Sequence, residues 1–338
     1  MNSTDAAVVK TLLDKPQNIV IIPHKNPDGD AMGSCLGLQH YLKLLGQEST
    51  IVAPNDYPKF LKWLPGSESV LNFELDNTKA KKALENASLI FTLDFNDLSR
   101  TGQLESNLKE SNADFIMIDH HQQPSDYAKV TYSDVGMSST CEMIYKFIEA
   151  LGRIGMIDAQ IATCLYTGIM TDTGSFKFAA TTSQTHRVAA ELMERGADHV
   201  AIHQKVFDTN SPSRLQLLGV ALKNMVILEN HHTAYITLTQ EELDASNFKK
   251  GDTEGFVNYG LTIENIIFAV IFIENKEEGI IKISFRSIGD FSVNEFARAH
   301  FNGGGHTNAA GGRSELSMAA TIKKFESLLN DYKAQLTT

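Results

Sequence analysis

The sequence predicts an α/β protein with two domains. The main evidence is a set of short apolar runs, each about as long as a buried strand, that alternate with segments of helical periodicity. Three such runs occupy residues 18–23, 88–93 and 114–118. The length of 338 residues is sufficient for two domains with separate cores. A third observation is the change in pattern after residue 224, where strands become more frequent.

The N-terminal part consists of successive strand and helix units. The predicted strands cover residues 18–24, 49–53, 69–73, 88–93, 114–118 and 130–133. The predicted helices cover residues 5–13, 31–45, 78–87, 99–111, 138–151, 158–170, 182–195 and 198–207. The strand at 130–133 is assigned to an edge of the sheet. The helix at 138–151 begins with Ser138-Ser139-Thr140, which is typical of a capped helix start.

The C-terminal part contains more strands. Its predicted strands cover residues 226–229, 233–238, 266–274 and 280–286, and its predicted helices cover 293–299 and 318–335. The break at 275–279 indicates a hairpin turn. A helix over 214–224, introduced by Ser211-Pro212-Ser213, is predicted to connect the two parts. We therefore expect a first domain at 1–195, a linker with the connecting helix at 196–224, and a second domain at 225–338.

A candidate metal site directly follows the first apolar run. His24, Asp28 and Asp30 lie where open α/β sheets bind their ligands, at the carboxyl end of a strand. Pro27 and Gly29 favour a tight turn that lets these side chains point to the same side. One histidine and two carboxylates suit divalent cations such as Mn²⁺ or Mg²⁺. Alternatively, Asp28 or Asp30 caps the helix that begins near residue 31.

Acidic or histidine residues also follow the other apolar runs. Asp94 ends the run at 88–93, and Asp119-His120-His121 ends the run at 114–118. A fourth apolar run, 164–170, is interpreted in the same way, with Asp172 just beyond its end. Because parallel strands deliver their carboxyl ends to one edge of a sheet, we expect these side chains to converge there. Their repetition favours a metal centre over a set of unrelated caps.

Composition and charge restrict the possible ligands. The chain carries 41 acidic and 30 basic residues, for a net charge of −11. This balance argues against tight, non-specific binding of long or duplex nucleic acid, which requires many cations to neutralise phosphates. A short anionic substrate remains compatible with it, because bound divalent ions reverse the local potential.

The sequence also indicates a cytoplasmic protein. Cys35, Cys141 and Cys164 lie in apolar or helical surroundings and lack the spacing of paired metal ligands, so we expect small buried thiols in a reducing compartment. No signal peptide is visible at the N-terminus. No apolar stretch is long enough to span a bilayer, so we expect no membrane contact.

Two motifs resemble those of the DHH phosphoesterases. One is the triplet Asp119-His120-His121, and the other is the glycine-rich run from Gly303-Gly304-Gly305-His306 to Gly311-Gly312, which is similar to the DHH-associated domain. The resemblance covers nearly the whole chain. It implies a Rossmann-like N-terminal domain with a parallel sheet, a smaller C-terminal α/β domain with a mixed sheet, and a cleft between them. The layout is most similar to the oligoribonuclease (nano-RNase) and pAp phosphatase type.

The resemblance also implies a pair of divalent cations, with Mn²⁺ favoured and Mg²⁺ as the alternative. A pair roughly 3.5–4 Å apart activates water and binds phosphoryl oxygens. The first ion would be held by His24 and Asp28, and the second by Asp30, His120 and Asp172. Asp94 would bridge the two.

Further candidates surround this set. Asp119 is predicted to accept a ring N–H from a neighbouring histidine, or else to be a turn carboxylate at the strand end. His121 resembles the family histidine that contacts phosphate. With Asp94, these two are the candidate catalytic residues. The candidate substrate-binding residues are Arg286, Gly304, Gly305, His306, Asn258 and Arg100. Arg286 would hold a phosphate bidentately, and the glycines would let a phosphate or base approach the backbone. A surface arginine at the start of a helix is an equal alternative for Arg100.

The expected function is hydrolysis of short oligoribonucleotides, of linear dinucleotides such as pApA, or of 3′-phosphoadenosine-5′-phosphate (pAp), through a metal-activated water. The alternatives are a RecJ-like single-strand exonuclease, an exopolyphosphatase or pyrophosphatase, and a non-catalytic RNA- or nucleotide-binding module. The expected partner is a short RNA or nucleotide. The sequence leaves a homodimer open.

Overall fold

The computed structural model describes residues 1–336. The chain divides into two compact units, Met1–Thr209 and Asn210–Thr338. The first unit contains the candidate metal ligands. Among the described residues, none of the helices has both the length and the apolar character needed to cross a membrane.

A parallel sheet of six strands forms the centre of the first unit. The strands are β1 (Ile19–Pro23), β2 (Ser49–Ala53), β3 (Leu71–Asn72), β4 (Leu89–Leu93), β5 (Asp114–Asp119) and β6 (Val130–Ser133). Their order is β3-β2-β1-β4-β5-β6, and all neighbours are parallel. This confirms the predicted Rossmann-like sheet with β6 at an edge. The strand order reverses between β1 and β4, which creates a switch point where α/β proteins bind ligands.

Both faces of this sheet are covered. The helices are α1 (Ser3–Leu13), α2 (Gly29–Leu44), α3 (Asn77–Glu85), α4 (Glu105–Lys109), α5 (Thr140–Ala150), α6 (Ala159–Asp172), α7 (Ser183–Glu194) and α8 (His199–Phe207). Ile19 and Ile21 of β1 pack in one apolar cluster, whereas Val20 and Ile22 pack in another. A strand buried on both faces must be apolar at every position, which explains the continuous run in the sequence.

Two expectations for this unit need correction. The run at 164–170 lies in helix α6, in agreement with the predicted helix at 158–170, so its interpretation as a strand-like run is wrong and Asp172 lies at the end of a helix. The predicted helix at 99–111 is a 3₁₀ segment, Leu98–Leu104, followed by the short α4. Gly102 interrupts it with a φ of +60°, where a Cβ atom would come within 2.9 Å of the Lys25 side chain. The backbone is thereby turned toward the loop that follows β1.

The second unit contains a mixed sheet, as the resemblance implied. Its strands are β7 (Val226–Leu228), β8 (Thr233–Leu238), β9 (Phe268–Asn275), β10 (Ile280–Ser287), β11 (Gly304–Gly305) and β12 (Ala309–Ser314). Its helices are α9 (Pro212–Lys223), α10 (Gln240–Ala245), α11 (Val293–His300) and α12 (Met318–Leu329). The strand order is β11-β12-β10-β9-β8-β7, with only β8 and β9 parallel among the recorded pairs. Strands β9 and β10 form the predicted hairpin.

Three features of the second unit are not predictable from the local sequence pattern. Strands β11 and β12 lie within the glycine-rich segment, where the absence of large side chains conceals any strand pattern. Helix α10 is only six residues long, below the length at which helical periodicity is visible. The last helix ends at Leu329 instead of residue 335.

Candidate metal centre

The loop after β1 presents the first two candidate ligands at the switch point. His24 directly follows the last residue of β1 and is 7% exposed. The turn after it includes Asn26, which has a left-handed φ of +57°. Its backbone N–H donates to Oδ1 of Asn55 at 2.7 Å, and the Asn55 amide donates back to Oδ1 of Asn26 at 2.8 Å. This reciprocal pair fixes the course of the loop.

Asp28 has the capping role that the sequence left open as an alternative. It is the N-cap of α2, and its Oδ1 accepts hydrogen bonds from the backbone N–H groups of Asp30 and Ala31 at 3.0 and 3.1 Å. The same oxygen lies 3.9 Å from Nε2 of His24. A carboxylate has lone pairs for more than two hydrogen bonds, so capping and metal binding are compatible in this residue.

Asp94 lies between two groups of candidate ligands. Its Oδ2 is 3.5 Å from Nε2 of His24, and its Oδ1 is 3.5 Å from Nε2 of His120. The residue directly follows β4 and has a φ of +66°, which is uncommon for a residue other than glycine. Although burial opposes ionisation, hydrogen bonds from His120 and His24 hold the pKa of Asp94 well below its usual range. The carboxylate is therefore charged and points one oxygen at each group.

The second group consists of Asp30, His120 and Asp172. Nε2 of His120 lies 3.8 Å from Oδ2 of Asp30 and 3.5 Å from Oδ2 of Asp172. The candidate ligands therefore form two groups, His24-Asp28-Asp94 and Asp30-His120-Asp172. Within each group, every residue contributes one possible ligand atom, and these three atoms lie within 4.8 Å of one another. All six metal candidates thus converge on one edge of the sheet.

Close packing of α2 against α6 brings Asp172 to this edge. A Cβ atom on Gly29 would lie 2.2 Å from Oγ1 of Thr171, and one on Gly33 would lie 2.6 Å from the Cys164 carbonyl oxygen. A Cβ atom on Gly168 of α6 would come within 3.1 Å of Oδ1 of Asp30. Glycine at these positions lets the two helices approach closely enough for their acidic residues to share one site.

Asp119 and His121 form a separate buried pair beside the two groups. Oδ1 of Asp119 lies 2.7 Å from Nδ1 of His121, so the Nδ1–H group donates a hydrogen bond to the carboxylate. This contact matches the orienting role predicted for Asp119. This hydrogen bond fixes the orientation of the imidazole ring, whose other nitrogen is Nε2. Nδ1 of His121 is also 3.8 Å from Oδ1 of Asp94, so the pair lies against the metal candidates.

The electrostatics of the centre favour cations. Burial raises the pKa of Asp172 to about 7, with a further contribution from the charges of Asp28 and Asp94. Burial and the neighbouring carboxylates also raise the pKa of Asp30 well above its usual range. Burial alone would lower the pKa of His24, but the hydrogen bond to Asp94 and the nearby carboxylates raise it to about 9. Bound protons thus reduce the repulsion among the crowded carboxylates, and divalent cations can replace these protons.

These donors fit divalent cations. Carboxylate oxygens with a minority of imidazole nitrogens are the set that Mn²⁺ and Mg²⁺ accept. The acidic and histidine clusters are therefore suitable for binding metal ions. Oδ2 of Asp119 is a further buried oxygen, and it has no hydrogen-bond partner among the residues that the structure describes.

Arg100 lies beside the loop that carries His24. Its backbone carbonyl accepts a hydrogen bond from the N–H of Lys25 at 2.8 Å, and its side chain is exposed. The positive charge of Arg100 opposes protonation of His24. The sequence alternatives for this arginine, a site residue or a surface residue, both remain compatible with this position.

The candidates of the second unit cluster at one end of its sheet. Arg286 of β10 is opposite Ala309 of β12 in the register, and its Nη1 donates to the Phe285 carbonyl at 2.9 Å. His306 closes a tight turn with Ala309, to whose carbonyl it donates at 2.7 Å. The N–H of Gly305 donates to Oδ1 of Asn294 at 3.0 Å.

The two remaining candidates of this unit are Gly304 and Asn258. Gly304 precedes Gly305 in β11 at the edge of the sheet. Asn258 lies in a 3₁₀ segment, Phe256–Thr262, that packs against β8, β9 and β10. Its Oδ1 is buried without a hydrogen-bond partner in the described part of the chain.

The sequence analysis missed two residues that support the site in the first unit. Asn55 follows β2, so the strand-end rule that found Asp94 could have found it as well. Thr140 donates its hydroxyl to Oδ1 of Asp94 at 3.0 Å. In the sequence Thr140 is only part of a helix start, and no local pattern connects it with a residue 46 positions earlier.

Comparison with protein-family models matches two stretches of the chain. Residues 18–169 match the DHH family, N-terminal domain, and residues 232–337 match the DHHA1 domain. The bifunctional oligoribonuclease and PAP phosphatase NrnA of Thermus thermophilus is 33% identical over 319 residues, which cover 94% of this chain and 90% of that protein. The chain belongs to the DHH family. The resemblance carried by Asp119-His120-His121 and the glycine-rich segment is confirmed.

Two solved structures are similar to this DHH-family chain. An exopolyphosphatase-related protein from Bacteroides fragilis is 39% identical, with a TM-score of 0.95 and coverage of 99% of this chain and 98% of that chain. RecJ from Thermus thermophilus, solved in complex with Mn²⁺, has a TM-score of 0.57 at 15% identity and covers 98% of this chain and 54% of that chain. The RecJ likeness is one of fold.

Proposed function

We propose that this DHH-family protein is a dinuclear metal-dependent phosphoesterase that hydrolyses short oligoribonucleotides, linear dinucleotides such as pApA, and pAp. The observation that carries the proposal is the position of Asp94, whose two oxygens each lie 3.5 Å from a histidine of a different ligand group. A single carboxylate facing two groups is the arrangement that a bridged pair of ions requires. The name of the relative from Thermus thermophilus supports the substrate class.

Each side chain has a definite task in this proposal. His24 and Asp28 would hold one cation, Asp30, His120 and Asp172 would hold the other, and Asp94 would contribute to both. Two such cations, Mn²⁺ rather than Mg²⁺, would lower the pKa of a water molecule and bind phosphoryl oxygens. Asp119 accepts a hydrogen bond from Nδ1 of His121 and orients its ring, and His121 would contact the substrate phosphate.

Residues of the second unit are also proposed to bind substrate. The guanidinium of Arg286 suits bidentate binding of a phosphate. Gly304 and Gly305 allow a phosphate or base to approach the backbone, and His306 follows them directly. Asn258 is proposed to contact the base or the ribose. Arg100 of the first unit adds a positive charge near His24.

A cytoplasmic location suits the proposed activity. Cys35, Cys141 and Cys164 are buried free thiols, a state that a reducing compartment maintains. Among residues 1–336 there is also no helix suited to span a membrane.

Exopolyphosphatase activity is the second candidate. It is favoured by the description of the Bacteroides fragilis structure as an exopolyphosphatase-related protein. A polyphosphate chain offers the metal centre the same phosphoryl oxygens as a nucleotide does. It lacks a base or ribose, so Asn258 and the glycine-rich segment would have less to recognise.

A substrate panel tests the proposal. Purified protein is incubated with Mn²⁺ or Mg²⁺ and with pAp, pApA, RNA of two to five nucleotides, long single-stranded DNA, or polyphosphate. We expect the highest kcat/KM for a short RNA, pApA or pAp, with Mn²⁺ more effective than Mg²⁺ and no turnover after chelation. Faster turnover of polyphosphate would support the second candidate instead, and faster turnover of long DNA would support a RecJ-like exonuclease.

A further inference from the structure

The segment from Met137 to Cys141 contacts two of the candidate ligands through its backbone. The Met137 carbonyl oxygen lies 3.2 Å from Nδ1 of His120. The N–H of Thr140 donates to Oδ2 of Asp30 at 2.6 Å, and the N–H of Cys141 donates to Oδ1 at 2.8 Å. Both oxygens of Asp30 are thus held by the first turn of α5, and His120 is held so that its Nε2 faces the site.

The side chain of Thr140 contacts a third candidate ligand. Its hydroxyl donates to Oδ1 of Asp94 at 3.0 Å, and the residue is completely buried. The oxygen that accepts this bond is the one that faces His120, while the other faces His24. Rotation of the carboxylate about its Cβ–Cγ bond would break the bond to Thr140 and turn both oxygens away from their groups. The hydroxyl therefore selects the orientation in which Asp94 can bridge.

Glu142 connects this segment to helix α7 through hydrogen bonds. It is 2% exposed, and its Oε2 accepts hydrogen bonds from the Ser138 hydroxyl at 2.5 Å and the Thr185 hydroxyl at 2.9 Å. Burying a carboxylate is costly unless hydrogen bonds compensate for the lost water. Ser138 lies within the segment, and Thr185 belongs to the first turn of α7. Glu142 thus ties the start of α5 to a second helix.

We propose that Thr140 is a positioning residue that orients the bridging carboxylate, and that Glu142 is the anchor that keeps Thr140 in register with it. The inference rests on the metal-dependent function proposed above, and the expected ligand is a divalent cation. Neither residue is a metal ligand in this scheme. Both act through Asp94, Asp30 and His120, by limiting the orientations that these side chains adopt before a cation binds.

The test compares Thr140→Val, which keeps the shape but removes the hydroxyl, with Thr140→Ser, which restores it. Metal-free proteins are titrated with MnCl₂ by calorimetry and examined by electron paramagnetic resonance, which distinguishes a carboxylate-bridged Mn²⁺ pair from separate ions. Thr167→Val is the matched control, because this buried threonine donates its hydroxyl only within α6, to the Thr163 carbonyl at 2.7 Å. Circular dichroism verifies that each variant is folded.

We expect the wild type, Thr140→Ser and Thr167→Val to bind two coupled Mn²⁺ ions. Thr140→Val should bind the second ion about 10- to 100-fold more weakly and lose the coupled signal. Its kcat on pApA should fall by a similar factor with little change in KM. Unchanged affinity and coupling in Thr140→Val would overturn the inference while leaving the proposed function intact. Failure of the wild type to bind a pair would overturn both.

The anchor is tested separately with Glu142→Gln and Glu142→Ala. Glutamine can present an acceptor oxygen to Ser138 and Thr185, so this variant should bind Mn²⁺ with nearly wild-type affinity. The alanine variant should show the same loss of the coupled pair as Thr140→Val. If Glu142→Ala is folded and retains the coupled pair, or if Glu142→Gln loses it, the anchoring role is wrong.

Discussion

At the scale of the residue, Asp94 combines the features that the proposed chemistry requires. It is 2% exposed, ionised, and held in a left-handed backbone conformation at the end of β4. A conformation of this kind costs of order 1–3 kcal/mol and persists only where the surrounding structure maintains it. The two oxygens of this carboxylate lie 3.5 Å from Nε2 of His24 and 3.5 Å from Nε2 of His120.

The first prediction concerns this bridging carboxylate. Asp94→Asn should reduce the turnover of pApA by more than about a hundredfold, because a neutral amide cannot bridge two cations. The variant should remain folded, since asparagine has nearly the same size and shape. Turnover, bound manganese and circular dichroism are measured on the same preparation. Wild-type turnover together with undiminished manganese content would refute the bridging role.

The second prediction concerns pH and follows from His24 and Asp172 in protein stripped of metal. Their folded-state pKa values, about 9 and about 7, lie above the ordinary values of 6.5 and 3.8. The folded protein therefore binds more protons than the unfolded chain. The difference at Asp172 extends from about pH 4 to 7, and the difference at His24 extends from about pH 6.5 to 9. Stability from these groups is lost as the pH rises through those ranges.

We expect the Tm of EDTA-treated protein to fall between pH 6 and pH 9. Added Mn²⁺ should raise the Tm, and this increase should become larger from pH 6 to pH 9. The reason is that fewer protons then compete with Mn²⁺ for the ligands. Differential scanning fluorimetry at constant ionic strength measures both trends, and His24→Gln should flatten the upper part of the curve. A Tm of metal-free protein that rises from pH 6 to pH 9 would contradict this account.

At the scale of the element, the contact between α2 and α6 determines whether the two ligand groups are complete. Asp28 and Asp30 lie at the start of α2, and Asp172 is the last residue of α6. Glycines at the interface let the two helices pack at close range, with Gly33 against the backbone of Cys164. The position of Asp172 in the site is therefore a consequence of helix packing, and not of a strand end.

The third prediction is that Gly33→Ala destabilises the first unit. The new Cβ would lie 2.6 Å from the Cys164 carbonyl and 2.9 Å from Sγ of Cys141, so α6 must shift. We expect the free energy of unfolding to fall by about 1–3 kcal/mol, and the Tm to fall by roughly 2–10 °C. Weaker Mn²⁺ binding should accompany this change, because the shift moves Asp172.

Gly219→Ala is the matched control for this experiment. Gly219 lies within α9, and a Cβ atom there would meet nothing within 4 Å. Alanine at this helical position should raise the free energy of unfolding by about 0.5–1 kcal/mol. If both glycine variants changed stability in the same direction and to the same extent, close packing at Gly33 would not be the cause.

At the scale of the whole molecule, net charge and the division into two units bear on substrate length. The chain carries a net charge of −11, so the surface beyond the metal centre has few cations to neutralise a long phosphate backbone. The residues proposed to bind substrate are also few, and each unit contributes some of them. Both features favour a substrate that is recognised at its end over one bound along its length.

The fourth prediction is a preference for RNA of about two to five nucleotides, an order-of-magnitude estimate from the counterion argument. We expect kcat/KM per RNA end to fall as the length increases beyond this range, and to fall more steeply with salt for long RNA. Steady-state kinetics on a ladder from dinucleotides to long single strands measures the trend. Equal or increasing efficiency with length would favour the RecJ-like alternative.

The strands of the first unit and the candidate ligands at their ends could be predicted from the sequence alone. Runs such as 18–23 are apolar at every position because both faces of the strand are buried, and this pattern is local. The convergence of His24, Asp94 and His120 follows from the parallel order of the strands. Family membership was also accessible, because the motif at 119–121 is contiguous in the chain.

Tertiary structure alone decided the features that depend on distant parts of the chain. Asp172 joins the site through glycine contacts between α2 and α6, and Thr140 contacts Asp94 from the start of α5, 46 residues along the chain. The strands of the glycine-rich segment form by pairing with β10, although their own side chains carry no strand pattern. Local sequence reports which face of an element is buried. The neighbour that covers that face is selected by packing across the whole fold, and only the folded chain reveals it.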